Sequence, residues 1–95
     1  MTATITDAEA RRIRTEANRL TTLLESARKL QPQAVRLRMV ATARALDSIA
    51  ATLDGARCQL MEDGPSYLEA AAAFVRVASE HLAVHAAVIG RSQHP

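Results

Sequence analysis

An all-α fold is predicted by three features of this sequence. It is rich in alanine and nearly devoid of aromatic residues. Its apolar positions recur at alternating spacings of four and three, and helix-capping signals stand at the ends of those periodic segments. Twenty of the 95 residues are alanine and only 2% are aromatic. Alanine is the best helix former, and the residues that favour strands are sparse outside the last third. The expected architecture is one domain over residues 6–90, an antiparallel bundle of three long helices over about 7–30, 32–62 and 67–89. Residues 1–5 and 91–95 are expected to be disordered.

The first helix opens on a capping box. Thr6 can accept from the Glu9 amide while the Glu9 carboxylate reaches back to the Thr6 amide, so the helix begins at Asp7. Ile13, Ala17, Leu20, Leu24 and Ala27 then line one face, widened by Leu23 and Leu30. Pro32 disfavours α geometry at Gln31, and Arg28 with Lys29 suit the dipole of a helix C-terminus. The helix is therefore expected to stop near Leu30.

In the second helix, Pro32 takes the first position, where its missing N–H costs nothing. Val35, Met39, Thr42, Leu46, Ile49, Leu53, Ala56 and Leu60 follow in an unbroken alternation. Gly55 is expected to mark a weak point or bend in this helix rather than a break. Glu62-Asp63-Gly64-Pro65 ends it, with Gly64 free to adopt the left-handed C′ conformation.

Ser66 and Glu69 predict a second capping box that opens the third helix at Tyr67, with Gly90 as its C-cap. Leu68, Ala72, Val75, Leu82, Ala86 and Ile89 make one apolar stripe. Phe74, Val77, Val84 and Val88 make another on the neighbouring face. Only Glu69, Arg76 and Glu80, with alanines 73, 83 and 87, leave a strip suited to water. A helix apolar on nearly all sides needs cover on more than one side, and a homodimer in which this helix packs on its symmetry mate provides it.

The single Cys58 forms no intrachain disulfide and reads as a small buried hydrophobe. With no secretory signal at the N-terminus, the expected location is a reducing cytoplasm. The longest unbroken apolar run, Ala70–Val75, falls well below the roughly 20 residues that span a bilayer, so no membrane segment is expected.

Candidate sites are few. His81 and His85 stand four apart, a spacing that projects both from one helical face and suits two-histidine metal ligation. The Glu of a zincin motif is absent, and two imidazoles do not close a zinc site, so no metal or cofactor is expected. Asp7, Glu9 and Glu69 read as capping carboxylates, and Arg12–Glu16 and Arg76–Glu80 as surface pairs. No phosphate loop, nucleophile elbow or suggestive carboxylate pair is present, so an enzyme is not expected.

Between Glu25 and Asp47 lie Arg28, Lys29, Arg36, Arg38 and Arg44 with no acid. They make the turn between the first two helices a candidate surface for a charged partner. The absence of a helix-turn-helix and of stacking aromatics makes nucleic acid the alternative rather than the leading partner. The residues expected to carry protein association are Phe74, Val77, His81, Val84 and Val88.

Leu30-Gln31-Pro32 opening a long arginine-bearing helix with Arg44, then Gly64-Pro65 and Tyr67-Leu68-Glu69-Ala70 opening a final apolar helix that closes at Gly90, resemble the TraM-type antiactivators. These are small helical proteins that sequester quorum-sensing transcription factors of the LuxR class. The resemblance covers about two thirds of the chain. The link between the second and third helices is shorter than in that family, and the first helix has no counterpart there. It implies a dimer that binds a transcription regulator through helical faces. The functional expectation is a non-enzymatic adaptor, antagonist or regulator.

Overall fold

A computed structural model describes residues 4–93. It is all-α, with no strand among the described residues. The elements are α1 (Asp7–Arg36), α2 (Val40–Asp63), a 3-10 turn (Gly64–Tyr67) and α3 (Leu68–Gln93). The 3-10 turn joins α2 directly to α3, and the chain bends there. Residues 91–93, expected to be disordered, are the last residues of α3, and Gly90 lies inside the helix. Residues 1–3 and 94–95, including His94, lie outside the described residues.

The capping box of α1 forms as its residues dictate. The Glu9 amide donates to Thr6 Oγ1 at 3.1 Å, and the Thr6 amide donates to Glu9 Oε1 at 3.1 Å. That backbone donor, aided by the Thr6 hydroxyl, holds the Glu9 carboxyl below its ordinary pKa.

α1 does not stop at Leu30. It runs through Pro32 to Arg36, because its buried seam does not end at the proline. Ala17, Leu20, Leu24 and Ala27 are followed by half-buried Gln31 and fully buried Ala34 in the same four-and-three rhythm. Pro32 and Arg28 are both exposed. The carbonyl of Arg28, which loses its i+4 donor at the proline, therefore lies on the outer side, where water can serve it. An interior proline costs a helix about 3 kcal/mol, and the packing of Ala34 and half-buried Leu37 beyond it offsets that cost.

The turn falls instead at Leu37–Met39 and has the Schellman form. The Arg38 amide donates to the Val35 carbonyl at 3.0 Å and the Met39 amide to the Ala34 carbonyl at 2.9 Å. Arg38 occupies the C′ position with φ 60, where glycine is usual. Pro32 is thus not the first residue of α2. That helix begins at Val40 behind Met39, which provides no side-chain cap, and Val35 lies exposed on α1.

From Thr42 onward α2 keeps its expected face, with Leu46, Leu53, Ala56 and Leu60 buried and Thr42 and Ile49 half-buried. Gly55 does not interrupt the helix. Gly64 ends it at φ 59, ψ −130, its amide donating to the Leu60 carbonyl. The second capping box does not form. The backbone tightens into the 3-10 turn, Ser66 Oγ donates to the Asp63 carbonyl at 3.0 Å, and α3 starts at Leu68.

The inner seam of α3 is Leu68, Ala71, Val75, Ala78, Leu82, His85 and Ile89, buried except for half-buried Val75 and His85. Ala72 and Ala86, expected in this stripe, are exposed. The core has two parts. Leu20, Leu24, Leu53, Leu60, Leu68, Ala71 and Ala78 share one, and Ala27, Ala34, Ala43, Leu46, Leu82 and Ile89 share the other. Gln93 Nε2 donates to Gln33 Oε1 at 3.2 Å and ties the C-terminal ends of α3 and α1. Seven of the fifteen buried apolar residues are alanine. The core is therefore thin for a chain of this length, because most of the energy of burial comes from the larger side chains. The molecule is a rod with extents of 60 × 17 × 16 Å.

Candidate functional site

Burying one seam of α3 leaves a second in the open. Phe74, Val77, His81, Val84 and Val88 alternate by three and four, each one residue before a member of the inner seam. The two lines are thus about 100° apart around the helix. Val77 is 44% and Val84 61% exposed. His81 is also exposed, while Phe74 and Val88 are half-buried. The Phe74 ring stacks on Tyr67 with centroids 6.5 Å apart and planes at 22°, which holds the seam's one aromatic residue against the start of α3.

Phe74, Val77, Ala78 and His81 face Ser48, Ile49, Thr52 and Leu53 of α2 across a groove of about 250 Å³. None of these eight residues is an Asp, Glu, Lys or Arg. Ser48 and Thr52 leave no mark in the spacing of large apolar residues. Their signal was a lack of charge, which periodicity of hydrophobes does not register.

His81 and His85 do not act as a pair facing solvent. Four residues advance a helix by about 400°, and the resulting 40° offset carries His85 into the inner seam while His81 stays outside. Among the described residues no group of three or more His, Cys, Asp or Glu is placed to hold a metal ion. Cys58 is exposed, contrary to its expected burial, because it lies off the face defined by Leu53, Ala56 and Leu60.

Two ion pairs are present among the described residues. Glu16 pairs with Arg19 at 2.9 Å and not with Arg12, and Asp54 pairs with Arg57 at 2.8 Å. Arg76 and Glu80 do not pair. The second oxygen of Glu16, Oε2, is buried without a hydrogen-bond partner.

All five candidate basic residues are exposed. Arg38 and Arg44 line a groove with Gln31, Val35, Val40, Ala43 and Asp47. Arg28 lies in the adjoining groove, which holds both Asp47 and Asp54. Lys29 and Arg36, seven apart, share a different face of α1.

One 18-residue window within Val40–Gln93 is long and apolar enough, by length and composition, to cross a membrane, and only 17% of it is buried. The unbroken run Ala70–Val75 understated this apolarity, because a single Arg76 or Glu80 ends a run without making its surroundings polar. No family model, curated protein or solved structure matches the chain.

Proposed function

We propose that this chain is a non-enzymatic interaction protein whose α3 seats a helix of another polypeptide, and that it associates with a second copy of itself. In this reading the helices form an antiparallel bundle of three, and homodimerisation covers the side of α3 left open. The shared core supports the helix order. Leu20, Leu60 and Leu68 meet in one part, and Ala34, Leu46 and Leu82 in the other. That grouping supports a reading in which the end of α1 lies beside the start of α2 and the end of α3.

The observation that carries the proposal is the exposure of Val77 and Val84 on a line that also contains Phe74, His81 and Val88. Three-and-four spacing is the geometry by which helices interlock side chains, and an amphipathic face of this kind is a common means of protein recognition. Its regulatory form, an adaptor or antagonist that sequesters a transcription factor in a reducing cytoplasm, rests on the resemblance of residues 30–90 to the TraM-type antiactivators. No cofactor enters the proposal.

Light scattering on the purified protein tests it. The wild type is expected at twice the chain mass of 10.3 kDa, and Val77→Glu with Val84→Glu at the single-chain mass with its helicity retained. A folded wild-type monomer at high concentration would overturn the homodimer. Binding of nucleic acid by the exposed arginines is the second reading. It would appear as affinity falling steeply with salt and lost in Arg38→Glu with Arg44→Glu.

A further inference from the structure

We infer that the end of the rod at the α1–α2 turn is a docking surface for an anionic lipid bilayer, with Arg38 and Arg44 meeting headgroup phosphates and Val35 and Val40 entering the layer beneath them. This surface is separate from the open seam of α3, and it gives the exposed arginines a partner other than nucleic acid.

Charge is divided along the rod. Arg28, Lys29, Arg36, Arg38 and Arg44 lie within about 14 Å of the turn along their helices. The bond between Gln93 and Gln33 brings the last turn of α3, with Arg91, to the same end. All six are exposed, and neither ion pair of the described residues uses one of them. Asp47 is the one acid equally near, since no other Asp or Glu stands between Glu25 and Asp54 or after Glu80. The remaining six basic residues are outnumbered by nine acids. A net charge of +2 is therefore a strongly positive end on a negative body. Over a length of 60 Å that division turns the rod end-on toward an anionic surface. Six basic residues fall within the range of clusters that hold a protein to anionic lipid.

The valines separate a bilayer from other polyanions. Val35 is 55% and Val40 60% exposed, and both line one groove with Arg38 and Arg44. The phosphates of a nucleic acid gain nothing from aliphatic side chains. Tyr67 and Phe74, the only aromatic residues that could stack on bases, stand at the start of α3 instead. A bilayer surface accepts both kinds of side chain, aliphatic groups at the acyl boundary and guanidinium groups at the phosphates. The backbone of Arg38 agrees. It is left-handed at φ 60, where glycine would fold more easily, and strain of this kind collects at binding sites.

Flotation of the purified chain with lipid vesicles tests the surface. The wild type is expected to float with vesicles of equal parts phosphatidylglycerol and phosphatidylcholine, and to stay behind with phosphatidylcholine alone. Raising salt from about 0.05 to about 0.5 M is expected to release it. Arg38→Glu with Arg44→Glu is expected to weaken binding about tenfold or more, and Val35→Ser with Val40→Ser about threefold or more. Circular dichroism checks each variant for helicity.

A wild type that ignores the anionic vesicles, floats equally with phosphatidylcholine or holds on at high salt would overturn the inference, and these arms need no variant to fold. A folded serine pair that binds as tightly as the wild type would overturn it too. So would duplex DNA held more tightly than the anionic vesicles, which would assign this end to nucleic acid.

Discussion

The amide of Met39 donates to the carbonyl of Ala34 at 2.9 Å, five residues back, and this bond closes the turn between α1 and α2. It requires Arg38 between them to hold a left-handed backbone, at φ 60. A residue with a side chain pays roughly 1–2 kcal/mol for that conformation. Arg38→Gly is therefore expected to raise stability by up to about 1 kcal/mol, since glycine's greater freedom in the unfolded chain returns part of the gain. Arg38→Val, β-branched at the same φ, is expected to lower it by at least as much. Urea midpoints of the three proteins decide between these outcomes.

Gly55 sits inside α2 with no atom within 4 Å of where a Cβ would stand. Gly55→Ala thus adds a methyl group to open space and removes a mid-helix glycine, which is expected to stabilise the fold by roughly 0.5–1 kcal/mol. A higher melting temperature with unchanged helicity is the outcome sought.

Gly64 presents the opposite case. A Cβ there would meet Ile13 Cδ1 at 3.8 Å and Ile5 Cδ1 at 3.9 Å, ordinary contact distances, so space is not the constraint. The backbone at φ 59, ψ −130 is one that only glycine adopts freely. Gly64→Ala is expected to cost about 1–3 kcal/mol, and a loss below that range in chemical denaturation would show that the turn can relax.

The start of α1 links stability to pH. The Thr6 amide bond holds the Glu9 carboxyl below its ordinary pKa, so the unfolded chain takes up a proton at higher pH than the folded one. The stabilisation is complete above the ordinary carboxylate range and is lost as pH falls through the lower, folded value. Between about pH 6 and pH 3, Glu9→Gln should lose less stability than the wild type. Thr6→Ala, which removes the hydroxyl acceptor, is expected to cost roughly 1 kcal/mol at neutral pH.

The elements that were legible in the sequence are those marked by side chains with one possible role. Thr6 and Glu9 marked the start of α1, and Leu46, Leu53 and Leu60 marked the buried face of α2. Sequence puts the first turn at Pro32 because proline is a strong local signal, while the buried seam that carries α1 past it is spread over Ala27, Gln31 and Ala34. The left-handed position at Arg38 had no glycine to mark it. Ala71 and Ala78 could not be distinguished from Ala72 and Ala86 as core residues, since four alanines differ in nothing but position. The open seam of α3 was readable as an excess of valine and Phe74. The groove beside it was not, because Ser48 and Thr52, which line it with Val77 and His81, look in the sequence like ordinary surface residues.

The elongation of the rod has a hydrodynamic consequence. Its radius of gyration is 15.6 Å, whereas a globular chain of this length has about 12.4 Å, and by the same scaling 15.6 Å belongs to a globule of about 170 residues. A single copy will therefore leave a gel-filtration column early, near the position of a sphere almost twice its mass. Elution volume alone would report a pair of chains whether or not they had met.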